Sequence, residues 1–72
     1  MKGFNYLVDS KVTHISTLYA KDNHITIEIA MEKFFDSNTY QILIDPETGL
    51  YLEVVDFVYD MFLDEVNENV SN

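Results

Sequence analysis

Ile25-Thr26-Ile27-Glu28-Ile29-Ala30-Met31-Glu32 alternates large apolar residues with polar or small ones over its whole length. Side chains of a strand point alternately to opposite faces. This period of two therefore predicts a strand with Ile25, Ile27, Ile29 and Met31 on its buried side. Such a strand needs neighbours. Upstream, Lys21-Asp22-Asn23-His24 reads as a tight turn, because Asp and Asn tolerate positive φ. Before it, Val12 to Ala20 is rich in the Thr, Ile, Val and Tyr that strands favour. Phe4, Tyr6 and Val8 make a short first strand. Downstream, Asp36-Ser37-Asn38 is the next turn and Tyr40 to Ile44 the next strand.

Asp45-Pro46-Glu47-Thr48-Gly49 is the sharpest local signal. Pro fixes φ at the second position of a type I turn, Asp can bond back to the backbone, and Gly supplies a left-handed position. A hairpin then pairs Leu50 to Val54 with Tyr40 to Ile44; the alternative begins a helix at Leu50, and the hairpin is preferred. Asp56 is placed as the N-cap of a helix from about Phe57 to Asn69. The fold class expected is α+β: an antiparallel sheet of three to five strands followed by one C-terminal amphipathic helix.

The 72 residues form a single domain, 1–72, near the lower size limit for folding alone. There is no cysteine, so no disulfide supplements the core, and a reducing, intracellular setting follows. At 47% hydrophobic with five Phe and five Tyr, the chain is too apolar for a disordered acidic tail. No stretch approaches the roughly 18–20 apolar residues of a membrane span, and the opening residues are too soon interrupted by charge for a signal peptide. On the helix, Val58, Phe62 and Val66 oppose the acids while Tyr59, Leu63, Phe57 and Met61 flank them. That apolar arc is wider than one sheet face covers, so a second copy of the chain or a partner protein is expected to cover the remainder. Of the two, a homodimer is the expectation carried forward.

Charge is divided unevenly. Lys2, Lys11, Lys21 and Lys33 balance Asp9, Asp22, Glu28 and Glu32, and no Lys or Arg follows Lys33. The net charge of −9 therefore sits wholly in the second half, on Asp36, Asp45, Glu47, Glu53, Asp56, Asp60, Asp64, Glu65 and Glu68. A chain of pI about 4.2 is repelled by nucleic acid and by anionic membranes, so its suitable partner is basic. Asp56, Asp60, Asp64 and Glu68 recur every four residues, which stacks them along one helix face. Like charges at that spacing cost about 0.2–0.5 kcal/mol per pair. Each step rises about 6 Å, comparable to the path between neighbouring phosphates on a strand. The partner-binding residues expected are Glu47, Glu53, Asp56, Phe57, Asp60, Met61, Asp64 and Glu68, the acids supplying the row and Phe57 and Met61 an apolar edge.

Other chemistries fit poorly. Glycosidase-type catalysis needs two carboxyls in distinct environments flanking a cleft, and these acids crowd an exposed face. A calcium loop starting at Asp36 fails, with Gln41 where Gly is required and Tyr40 at a ligand position. His14 and His24 lack metal-ligand spacing. Ser10, Ser16, Ser37 and Ser71 lie in no nucleophile motif, and Asn69-Val70-Ser71 reads as a chance glycosylation match. No enzyme activity, cofactor or metal is expected.

The acidic layout over Glu47 to Glu68, with the strands-then-helix order, resembles the phage-encoded DNA-mimic inhibitors. These include inhibitors of uracil-DNA glycosylase, of CRISPR effectors and of the nucleoid protein HU. The resemblance implies a protein acting in the cytoplasm of a bacterial host, which binds the DNA-binding groove of a basic protein and excludes DNA. It implies HU as the first choice of target. Two other classes stay open: an immunity or antitoxin-type binder of a basic toxin, and a structural oligomerisation module.

Overall fold

Val8, Val12, Ile15 and Tyr19 recur at four-, three- and four-residue intervals, and all four are buried. That is the stripe of a helix facing a core, and the computed structural model, which describes residues 2–70, has one helix over this entire region: α1, Lys2–Asn23. It is followed by α2 (Ile27–Phe35), α3 (Asn38–Leu43), two short 3-10 turns (Pro46–Thr48 and Leu50–Leu52) and α4 (Val55–Val70). The described residues contain no strand, so the α+β expectation is overturned. Ser71 of the glycosylation match lies outside the described residues.

The octapeptide that suggested a sheet begins a helix instead. Thr26 takes an extended conformation and its hydroxyl accepts from the Ile29 amide at 3.2 Å, an N-cap. From there the positions that matter are three and four apart. Ala30 and Phe34 are fully buried and Met31 half-buried, whereas Ile27 and Ile29 stay exposed. Alternation placed Ala30 on the solvent side because it is small. In the helix it is fully buried, and the modest helix penalty of Ile27 and Ile29 is outweighed by the packing of α2 against α1.

The turn before α2 is a helix terminus, not a hairpin. His24 adopts φ 56°, and the Ile25 amide donates back to the Ala20 carbonyl at 3.0 Å. This is a Schellman closure with histidine in the left-handed position usually held by glycine. Strain there is relieved by removing the Cβ. His24→Gly is therefore expected to raise stability by about 0.5–1 kcal/mol. An unchanged or lower urea midpoint would count against this reading of the terminus.

Ser37 plays the same part for α3. Its hydroxyl accepts from the Tyr40 amide at 3.1 Å and donates to the Phe34 carbonyl at 2.5 Å, welding the end of α2 to the start of α3. Tyr40 to Ile44, expected as a strand, is thus mostly helix. The Asp45–Gly49 turn is present, with Asp45 Oδ1 accepting from the Glu47 amide at 3.0 Å and Gly49 at φ 72°. It leads into the Leu50–Leu52 3-10 turn, so Leu50 to Val54 pairs with nothing in a ladder. After an extended Glu53, α4 starts at Val55, which puts Asp56 inside the first turn rather than at the cap.

The core lies where α1, α2 and α4 meet. Phe62 of α4 makes edge-on contacts with Tyr19 of α1 (centroids 5.0 Å) and Phe34 of α2 (5.1 Å). At the other end, Phe4 meets Tyr51 edge-on, tying the second 3-10 turn to α1. The Tyr59 hydroxyl donates to Asp22 Oδ2 at 2.6 Å, joining α4 to the end of α1. Burial first, then the hydrogen bond and charge of Asp22, push this phenol well above its ordinary pKa. One core group is left unsatisfied: the Ser16 hydroxyl is fully buried with no hydrogen-bond partner among the described residues. Ser16→Ala removes that desolvated group at little loss of volume, for an expected gain of about 1 kcal/mol. A drop in thermal midpoint would show that the hydroxyl is satisfied after all.

Candidate acidic docking face

α4 presents its acids through simple helix periodicity. Val58, Tyr59 and Phe62 point into the core, and Met61, Leu63 and Val66 are half-covered. Asp56, Asp60, Asp64 and Glu68 are exposed. Four residues advance a helix by about 400°, so each acid is displaced about 40° from the one before. The row therefore winds right-handed around α4 through roughly 120°. It begins away from α3 and ends over the junction of the two helices.

That junction is a shallow groove of about 320 Å³ lined by Asn38, Thr39, Ile42, Met61, Asp64, Glu65 and Glu68. Of the expected partner-binding residues it brings together Met61, Asp64 and Glu68. Glu53, Asp56, Phe57 and Asp60 lie along the N-terminal end of α4 and just before it. Glu47 does not belong to the row; it is exposed on the first 3-10 turn, off the helix.

Glu65 has a different task from its neighbours. Its carboxylate accepts from the Asn38 amide (2.7 Å), the Thr39 amide (2.9 Å) and the Thr39 hydroxyl (2.9 Å). The first two amides of α3, which have no partner within the helix, are thereby satisfied from α4. Partial burial works to raise its pKa, but these three hydrogen bonds prevail and hold it below the ordinary glutamate value. Sequence reasoning counted Glu65 only as one more negative charge. Ser37-Asn38-Thr39 carried the signal of a helix start, which an acid on a neighbouring element can cap.

The lysines are placed elsewhere. Lys21 and Lys33 are exposed in the last turns of α1 and α2, where a cation suits the negative end of the helix dipole. Lys11 lies on the buried face of α1. The last turn of α4 has no basic residue, and it carries Glu68 against that same negative end.

Three residues missed as site candidates are Ile42, Leu52 and Val54, all exposed. Each had been assigned to a paired strand, where its exposure could not be foreseen. A hollow of about 450 Å³ runs along α1 past Tyr6, Asp9, Ser10, Thr13, His14 and Thr17. All its walls come from one helix, so it is an open outer surface. Among the described residues no group of three or more His, Asp or Glu converges as a metal site, and no helix is long and apolar enough to cross a membrane. Comparison with protein-family models, curated proteins and solved structures finds no match to the chain.

Proposed function

We propose that the protein is a non-catalytic binding module that docks through α4 on a basic protein surface, one that ordinarily holds DNA. The observation that carries this reading is the exposed row Asp56, Asp60, Asp64 and Glu68 in a half-chain without a cation. The row works against stability, by like-charge repulsion along α4 and by Glu68 at its negative end. Asp56, Asp60 and Asp64 take no part in capping α3, which Ser37 and Glu65 do between them. A partner that supplies lysines and arginines explains the row.

The extension to DNA mimicry rests on the spacing and sense of the row. Its steps of about 6 Å are close to a phosphate path, and it winds right-handed as a DNA strand does. The helical fold removes the strands-then-helix order, on which the resemblance to phage inhibitors partly rested. The charge layout remains.

The test is competition. A labelled DNA duplex bound to a purified basic nucleoid protein such as HU should be displaced by this protein, with displacement weakening steeply as salt rises. The Asp60→Lys, Asp64→Lys double variant should lose binding by about 100-fold or more, because two attractions become repulsions. Its circular dichroism should stay helical. Displacement by the double variant equal to that of the natural protein rejects the assigned face. Binding to a basic protein without displacement of DNA favours the immunity-type reading instead.

A further inference from the structure

Several of the exposed large apolar side chains fall in the half of the chain that carries the acids. Leu52 is 66% exposed, Val54 69% and Phe57 51%. Leu52 and Val54 flank the extended Glu53 at the entry to α4. Phe57 begins a stripe on α4 that continues one turn later with Met61, which shares the groove with Ile42 of α3. Leu52, Val54 and Phe57 stand exposed just before and at the start of α4, and Met61 and Ile42 line the α3–α4 groove. These five apolar positions make a track that follows the chain from the second 3-10 turn towards that groove. Asp56 and Asp60 border it along one side, and Glu53 interrupts its start.

We infer that this track is the receptor for an amphipathic cationic helix of the partner, its apolar face seated on Phe57 and Met61 and its lysines or arginines facing the acidic row. The inference rests on the proposed function and deepens it, naming the shape and chemistry of the occupant. Charge chooses the occupant. A second copy of the chain packed here about a two-fold axis would bring a second set of Glu53, Asp56 and Asp60 to the same interface and, from this half of the chain, no cation to meet them. A basic helix meets the same border with opposite charge. The mixed edge also fits the way helices are held in grooves: anchors one turn apart on the apolar side, ion pairs at the rim.

The experiment uses two peptides of equal positive charge. One has leucines along one helical face and lysines elsewhere; in the other, serines replace the leucines. Affinities for the full chain are measured by calorimetry. The leucine peptide is expected to bind at least about tenfold tighter, equivalent to ~1.4 kcal/mol. That advantage should vanish in the Leu52→Ser, Phe57→Ser variant, while the serine peptide binds the variant as before. Val54→Ser, at a still more exposed position, provides a second test should the double variant lose helicity. Equal affinities of the two peptides overturn the track and leave the basic-partner reading standing. Failure of both peptides to bind overturns that reading, and the inference with it. A stable homodimer in sedimentation that the double variant dissociates assigns the track to a second copy and likewise overturns the proposal.

Discussion

Phe62→Ala is expected to cost about 3–5 kcal/mol, enough to unfold a large fraction of the molecules at room temperature. A chain of this size has a total stability of only about 4–11 kcal/mol, at ~0.05–0.15 kcal/mol per residue. Phe62 is 1% exposed and stands between Tyr19 and Phe34, so truncation removes two edge-on aromatic contacts together with the buried area. Helices in a protein draw most of their stability from tertiary packing, so the loss of one shared contact loosens all three. Phe57→Ala is the control: the same substitution five residues earlier, on a ring half in solvent, should change stability by no more than about 0.5 kcal/mol. Urea unfolding followed by circular dichroism measures both. Similar losses for the two variants would mean that the core is not organised around Phe62.

The contrast between these two phenylalanines was legible in the sequence, because a helix wheel over residues 57–68 already separates Val58 and Phe62 from the acids. The rest of the fold was not legible, for identifiable reasons. Chain reversals at His24, Ser37 and Asp45–Gly49 are marked by residues that serve helix caps and hairpin turns alike. Knowing where the chain turns left open what it joins. Ile25 to Glu32 satisfies both periods at once: read by twos it offers four large apolar residues, read by threes and fours it offers Ile27, Ala30, Met31 and Phe34. Only burial in the folded molecule decides, and the residues it buries fully are Phe34 and Ala30, the latter the residue an apolar count weighs least. The error propagated to the site. With Tyr40 to Ile44 and Leu50 to Val54 taken as paired strands, Ile42, Leu52 and Val54 could not be recognised as surface. On α4 the fold covers Val58, Tyr59 and Phe62 and leaves Phe57 exposed beside the acids, while Ile27, Ile29 and Phe35 stand exposed on α2.

Glu65→Ala should cost about 2–3 kcal/mol, the second largest loss expected, because three hydrogen bonds to a charged acceptor vanish and two amides of α3 are left without a partner. The residue sits amid the acidic row yet contributes to the fold. Neutralising Asp60 or Asp64 should raise stability slightly by relieving repulsion, whereas neutralising Glu65 lowers it. The dependence on pH separates the two roles further. A carboxyl whose pKa is lower in the folded state stabilises fully above its unfolded value, about 4.3 for glutamate. That contribution is lost as pH falls through the lower folded value. Glu65→Gln keeps an acceptor but cannot ionise, so its deficit against the natural protein should be largest at neutral pH and shrink as pH falls below about 4. Urea midpoints of the two proteins at pH 7 and pH 3 measure that gap. A gap of the same size at both values would show that Glu65 acts by packing or shape, and α3 would then need another source for its first two amide bonds. A gap that closes leaves one carboxylate of the α4 cluster committed to the fold, and leaves Asp56, Asp60 and Asp64 as the charges whose cost a partner must offset.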